Sequence, residues 1–434
     1  MNLETIKVIG AGLAGCEAAW QLAERGCKVE LYEMRPGTMT PAHKTAAMAE
    51  LVCSNSLGAS NIDTASGLLK FELQQLGSLI LQCAEAAMVP AGGALAVDRS
   101  QFSRLVSERI ENHPNITVVS EVVTEVPKPP AIIATGPLTD DRFAQQLTQL
   151  LGTEMLAFYD AAAPIVYAES VDFSKAFWGA RYGKGGDDYL NCPLTEDQYQ
   201  AFYEQLVNAR QVELHDFERR FFEHCLPVEE MARRGYQTLT FGPLKPVGLT
   251  DPASGEKPYA VVQLRKEDVH GQLLNMVGFQ TNLLWPEQKR VFRMIPALRE
   301  AEFARLGVMH RNSYVNAPKV LAKNYELRRH PGLYIAGQLS GVEGYVESVS
   351  SGLVAALDLA AKINGRSEIN LPPETLVGSL TQFITTVNKN FQPMNANFGL
   401  LPPVDKRGGK RERRKAAAHR ARENIFLFAK NLNN

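Results

Sequence analysis

No CxxC pair occurs in this sequence, and no apolar stretch reaches membrane-spanning length. The six cysteines, Cys16, Cys27, Cys53, Cys83, Cys192 and Cys225, are scattered, which argues against a zinc site or a disulfide framework and fits a reduced compartment. The N-terminus has no basic segment leading into a cleavable apolar run. A soluble, cytoplasmic protein with no metal is therefore expected. Charge of one sign is also lacking across the whole chain: 46 Lys and Arg stand against 47 Asp and Glu. The near-zero balance hides a basic run close to the C-terminus. With 434 residues, 45% of them apolar, the chain is long enough for two or three domains and a sizeable core.

The strongest positive signal lies at the start. Ile6 to Ile9 is an apolar run, followed by Gly10-Ala11-Gly12-Leu13-Ala14-Gly15 and then a helical pattern with Ala18, Ala19, Leu22 and Ala23 on one side. Lys28 to Glu33 alternates as a second strand and ends on an acid. Strand, glycine turn, helix, strand and terminal acid form a dinucleotide-binding βαβ unit. Gly10 permits the tight turn, Gly12 lets a pyrophosphate approach the backbone, and Gly15 lets helix and strand pack closely. The helix N-terminus offers N–H groups and a positive dipole end to the phosphates. Glu33 is placed for ribose hydroxyls, and an acid there favours FAD or NAD over NADP.

Further along, Met34 to Ser66 reads as a long loop at the carboxyl edge of the sheet, where ligand contacts gather. Leu68 to Val89 is helical in pattern, Val97-Asp98-Arg99 opens a helix through Arg109, and Ile116 to Val126 reads as a hairpin. Ala131 to Pro137 is a buried strand ending in Thr-Gly, as often found beside FAD in glutathione-reductase-type flavoproteins. From Thr153 to Pro318 strand-like pieces such as Ile165 to Ala168 and Ala260 to Leu264 alternate with Gly/Pro turns and a helix, Glu196 to Asn208. No second Gly-x-Gly-x-x-Gly appears there, so this reads as an inserted α+β domain. Cys192 falls on a predicted loop within it. Leu333 to Gln338 is a strand meeting a glycine turn with Gly337, and Gly341, Gly344 and Gly352 precede or enter an Ala-rich helix, Leu353 to Ile363. The expected fold is α/β: a Rossmann-like, glutathione-reductase-type nucleotide domain with an inserted α+β domain. The segments are 1–152, 153–318, 319–370 for the returning part, and 371–434 for a helical C-terminal segment.

That last segment carries Lys406, Arg407, Lys410, Arg411, Arg413, Arg414 and Lys415. A charge run is usually a solvated helix face. One so nearly all positive in a near-neutral protein suits an anionic polymer.

Several long strings resemble one family, the bacterial folate- and FAD-dependent tRNA (uracil-5-)-methyltransferases. They are Ala49 to Leu57 (AELVCSNSL), Thr238 to Leu249 (TLTFGPLKPVGL), Val277 to Thr281, Val308 to Tyr314, Ala336 to Ser348 (AGQLSGVEGYVES) and Asn390 to Gly399. The resemblance spans nearly the whole chain. It departs from the family's pattern at His224, just before Cys225, and at Ala297, where glycine is usual. A longer relative that installs aminomethyl groups on wobble uridines shares the FAD domain and folate source. A ribosomal RNA methylase and a plain FAD oxidoreductase acting on a small metabolite are the other readings, the latter disfavoured by the missing second dinucleotide fold.

The resemblance implies transfer of a one-carbon unit from 5,10-methylenetetrahydrofolate to C5 of a T-loop uridine in tRNA (uridine 54), with FAD reduced by NADH or NADPH. It implies FAD contacts at Gly10, Ala11, Gly12, Leu13, Ala14, Gly15, Glu33, Gly337, Gln338 and Gly344. It also places two catalytic cysteines at Cys53 and Cys225. Uracil C5 is a poor nucleophile until a thiolate adds at C6, which explains the need for cysteine. Cys225 is assigned the C6 attack and Cys53 the place beside the flavin, an order that can be reversed. His310 is a candidate to stack on the pteridine, against the plain alternative of a hydrogen-bonded loop histidine. Lys245, Arg265 and Arg311 are candidates for the folate tail or RNA phosphate.

Overall fold

A computed structural model describes residues 5–40, 42–153, 156–161, 163–183, 186–212, 226–268, 270–307, 309–388, 391–405 and 409–432. Its centre is a five-stranded parallel sheet in the spatial order Leu333–Ile335, Ala131–Ile133, Ile6–Ile9, Val29–Glu33, Ile116–Ser120. Ala131–Ile133 is buried at every position because helices cover the sheet, while Val29–Glu33 alternates buried and half-buried residues. Two helices, Leu13–Ala23 and Tyr345–Ile363, cross so closely that a Cβ on Gly352 would lie 2.2 Å from the Ala14 carbonyl oxygen. That crossing explains why the second helix starts at Tyr345 rather than at Leu353. Glycine lowers helix propensity, but here its missing side chain permits the contact.

The sheet is contiguous in space and broken in sequence. The chain leaves it along Leu156–Ala161 and returns along Met309–Tyr314, and these two strands pair antiparallel. Between them lies a six-stranded antiparallel sheet, ordered Phe177–Trp178, Tyr189–Leu194, Ala260–Lys266, Leu273–Met276, Ile165–Tyr167, Phe303–Arg305. It has its own core, with Leu190, Cys192, Phe202, Phe279 and Phe292 fully buried. The Glu196–Val207 helix on this sheet opens with a capping box in which Thr195 and Gln198 bond each other's backbone. The inserted α+β unit thus stands as expected.

Other expectations are corrected. Ile116 to Val126 is not a hairpin: only Ile116–Ser120 is a strand, and its partner is the parallel strand Val29–Glu33. Alternation signals a strand but does not name its neighbour. Leu68 to Val89 is two helices, Ala65–Gln75 and Leu79–Ala86, separated by Gly77 at φ +77°, with the Ser78 side chain capping the second. The Met34 to Ser66 loop contains a strand, Ser56–Ala59, that pairs with Ala94–Val97. Cys192 is not on a loop but inside the Tyr189–Leu194 strand. Near the C-terminus, the buried Glu72 carboxylate accepts the N–H groups of Leu376 and Val377, closing the start of the Leu376–Thr385 helix. The last helix, Lys410–Leu432, packs through Ala417, Ala418, Ala421 and Ile425.

Candidate active site

A cleft of about 1110 Å³, open mouth included, runs along the carboxyl edge of the parallel sheet. Gly10, at φ +100°, turns the chain out of the first strand, and a Cβ there would lie 2.6 Å from the Ala134 carbonyl oxygen. Gly15 meets the Gly10 carbonyl oxygen so closely that a Cβ would sit at 1.8 Å. Gly12 differs: a Cβ there would meet nothing within 4 Å, because the position opens on the cleft. Two of the glycines are required by the protein's own packing, and the third leaves room for something else. This cradle fits a dinucleotide pyrophosphate.

Of the residues expected at a cofactor, Gly10, Gly12, Leu13, Ala14, Glu33, Gly337 and Gln338 line the cleft. Ala11, Gly15 and Gly344 do not, and each acts from behind. The Ala11 N–H donates to Glu33 Oε2 at 3.0 Å, so turn and acid are tied directly. Gly15 makes the close helix contact. Gly344, at φ +115°, precedes the helix whose Tyr345 and Ser348 enter the cleft. Glu33 also accepts from Arg35 N, Nε and Nη2. Burial alone pushes its carboxyl up, but the Arg35 guanidinium and these N–H donors hold it below the usual carboxylate range. Glu33 is thus an oriented anion on the wall of the cleft.

Cys53 lies at the junction of the two sheets. Its N–H and that of Ser54 donate to Tyr345 Oη, at 2.8 and 3.2 Å. Its carbonyl accepts from Arg99 Nη2 at 2.9 Å and Arg305 Nη2 at 2.9 Å, while Arg305 Nη1 reaches the Val52 carbonyl at 3.1 Å. Arg99 bonds the Leu51 carbonyl as well and is itself paired with the buried Glu267. Ser54 and Asn55 continue the seam, both accepting from Arg265 Nη2. One loop is therefore gripped by a helix of the nucleotide-binding half, by the returning helix and by two strands of the insert. Cys53 is partly exposed, whereas Cys16, Cys27, Cys83 and Cys192 are buried. Burial pushes the Cys192 thiol up to about 12 and the Cys83 thiol up to about 11, which suits packing rather than chemistry.

The remaining candidates divide. Cys225, Lys406 and Arg407 lie outside the described residues. His310 stands on the Met309–Tyr314 strand opposite Asp160, and Arg311 opposite Tyr159, at the hinge between the two sheets. Lys245 is exposed and open to an anionic ligand. Arg265 is not: it is buried and bonded to Ser54 and Asn55, so its place is structural. Arg411, Arg413, Arg414 and Lys415 are exposed on the first turns of the last helix, which begins at Lys410. The sequence reading missed Arg35, Arg99, Tyr345 and Arg305 as parts of the site. Tyr345 had a signal in its place just after Gly344. Arg99 and Arg305 had none, because each acts on backbone carbonyls brought in from elsewhere, and Arg35, bonded to Glu33 just before it, belonged to no motif.

The family model described as Glucose inhibited division protein A matches residues 5–367. A Heliobacterium modesticaldum protein named methylenetetrahydrofolate–tRNA-(uracil-5-)-methyltransferase is 57% identical over 433 residues, covering 99% of both chains. The Bacillus subtilis protein of the same name is 53% identical over 435 residues, covering 100% of both. Among solved structures, Aquifex aeolicus GidA in its form II crystal aligns with a TM-score of 0.71 at 16% identity, over 98% of this chain and 74% of that one. At that identity the likeness speaks for the fold: α/β, built on a nucleotide-binding parallel sheet. Matched end to end by such relatives, the chain belongs to the methylenetetrahydrofolate–tRNA-(uracil-5-)-methyltransferase family.

Proposed function

We propose that this protein is the cytoplasmic enzyme that moves a one-carbon unit from 5,10-methylenetetrahydrofolate to C5 of the T-loop uridine of tRNA, giving 5-methyluridine. The observation that carries the reading is Cys53 at the lip of a dinucleotide cleft. Tyr345 lines that cleft and holds the Cys53 backbone, and Val52 lines its wall. A partly exposed thiol beside a dinucleotide cleft suits a base-modifying flavoenzyme.

The residues divide the work as follows. The Gly10 to Gly15 turn, with Gly12, Leu13 and Ala14 lining the cleft, takes the FAD pyrophosphate on the N–H groups of the first helical turn. Glu33, oriented by Ala11 and Arg35, takes the ribose hydroxyls. Gly337, Gln338 and the helix start at Gly344 receive the far end of the cofactor. When bound and reduced by NADH or NADPH, FAD supplies the hydride equivalent that takes methylene to methyl. Cys225 adds as thiolate to C6 of the uracil, the C5–C6 π pair moves into a C4–C5 enolate, and C5 bonds to the folate methylene carbon as one of that carbon's two bonds to folate nitrogen breaks, its electron pair staying on nitrogen. The C5 proton then leaves to a base, and tetrahydrofolate departs with the electron pair of the remaining C–N bond to leave an exocyclic methylene at C5; capture of the hydride equivalent at that carbon completes the methyl as the C6–S bond breaks, restoring the C5–C6 double bond and the thiolate. Cys53 is the partner thiol beside the cofactor. His310 takes the pteridine face, and Lys406, Arg407, Lys410, Arg411, Arg413, Arg414 and Lys415 take RNA phosphates.

Nucleoside mass spectrometry of tRNA from a deletion strain tests the reading. The expected result is loss of 5-methyluridine, restored by the wild-type gene. Unchanged 5-methyluridine in tRNA together with its loss from ribosomal RNA would move the target to the ribosome.

A further inference from the structure

A second cleft, about 1340 Å³ with its open mouth, lies on the other side of the segment from Lys44 to Leu51. Its walls are that segment, the Arg99–Glu111 helix and the edge of the inserted sheet. Glu50 lines both clefts, so a single stretch of chain separates this one from the dinucleotide site.

Its chemistry is one-sided. Lys44, Arg99, Arg104 and Arg305 line it, together with the hydroxyls of Thr45, Ser100, Ser103 and Ser107. Two acids, Glu50 and Glu111, also line it, and the first of them is engaged. Glu50 accepts from Arg35, from the N–H groups of Lys44 and Thr45, and from the Thr45 hydroxyl. Among the described residues, Lys44 and Arg305 have no carboxylate at ion-pair distance, Arg99 has Glu267 alone, and Arg104 has only the exposed Glu108 one turn along its helix, at 2.8 Å. Partial burial, then the nearby positive charges of Arg305 and Arg99, hold the Lys44 ammonium below its ordinary range. Like charges brought together this way favour an anion between them. Among the described residues no aromatic side chain lines the cleft, so they offer no surface on which a pteridine, nicotinamide or adenine ring could stack. Cations and hydroxyls without rings are the lining that positions a sugar-phosphate backbone rather than a base.

We propose that this cleft holds phosphodiester groups of the RNA substrate next to the reacting uridine. Lys44 and Arg104 make exposed contacts at the mouth, and Arg99 and Arg305 form the floor. The same two floor arginines hold the Cys53 carbonyl, so phosphate seated here would rest on the groups that position the thiol loop. The inference rests on the RNA-methylating reading above and adds a second electrostatic footprint, separate from the C-terminal basic run.

The test uses full-length, FAD-loaded protein and an unmodified tRNA transcript, with affinity measured across a salt series. Lys44→Gln with Arg104→Gln removes two exposed charges and leaves the floor intact. Each lost phosphate contact should flatten the log–log salt dependence by roughly 0.7 to 0.9, so the pair should flatten it by roughly 1.4 to 1.8. The charge-keeping pair Lys44→Arg with Arg104→Lys should restore the slope. Should the double variant fold poorly, Lys44→Gln alone reads a single contact. An unchanged slope overturns the proposal. So does a raised KM for the folate or the nicotinamide nucleotide with tRNA binding unaltered, which would assign the cleft to a small anion. A wild type that leaves tRNA unmethylated would instead remove the functional reading, and this one with it.

Discussion

Two parts of the site are built in opposite ways. The Gly10 to Gly15 turn is local: its strand, helix and terminal acid fall within residues 6–33, and the Ala11 N–H to Glu33 bond ties its ends. The Cys53 loop is assembled from afar. Tyr345, Arg305 and Arg99 reach it across 292, 252 and 46 residues. A turn of the first kind is a binding cradle that forms with its βαβ unit. A loop of the second kind depends on the two sheets having docked. The difference teaches that cofactor binding and thiol placement are separable properties of this chain.

The sharpest break of that comparison is at the thiols. Cys225→Ala should lose covalent capture of RNA carrying 5-fluorouridine, since fluorine at C5 removes the proton that must leave, and it should keep its FAD. Cys53→Ala should also lose methylation while staying yellow. Trapping retained by Cys225→Ala and lost by Cys53→Ala would exchange the two roles. Normal methylation by both single mutants would remove the cysteine mechanism altogether.

Next in size is the cradle. Gly12→Val places a branched side chain where the cleft must stay open, and the purified variant should be colourless. Gly15→Val should also lose flavin, but for a different reason: its side chain would overlap the Gly10 carbonyl, so thermal stability should fall as well. A Gly12→Val protein that still extracts with stoichiometric FAD would show that the pyrophosphate lies elsewhere.

Smaller effects probe the clamp on Cys53. Tyr345→Phe leaves the Cys53 and Ser54 N–H groups without their hydroxyl acceptor. An unsatisfied buried donor costs about 1–3 kcal/mol, so the methylation rate should fall by roughly tenfold or more. Flavin absorbance should be largely kept. An unchanged single-turnover rate would mean that the hydroxyl does not position the loop. The smallest effect belongs to the tail. Truncation before Lys406 should leave flavin content alone and flatten the salt slope of tRNA binding by roughly 0.7 to 0.9 per lost phosphate contact. Identical slopes would make the basic run a solvated helix face.

Legibility in the sequence follows the same division. The βαβ unit, the capped helix after Asp98, the Glu196–Val207 helix and the insert between Leu156–Ala161 and Met309–Tyr314 were all readable from periodicity and turn residues. Ile116–Ser120 misled, because a period of two is shared by hairpins and parallel edge strands alike. The helix start at Tyr345 was hidden by Gly352, which packs against Ala14 from the far end of the chain. Cys192 looked like a loop thiol because its partner across the sheet, Val262, lies distant in sequence.

By itself, then, the sequence determined the nucleotide cradle and the class of chemistry. Those depend on backbone conformations and side-chain types set within a few tens of residues, where pattern and spacing act directly. Only the tertiary structure decided what surrounds Cys53, which cysteines are inert, and that a second cationic cleft backs the thiol loop. Those features require Arg99, Arg305 and Tyr345 to converge on backbone groups of one loop, and nothing in local propensity encodes which carbonyl a distant guanidinium will meet.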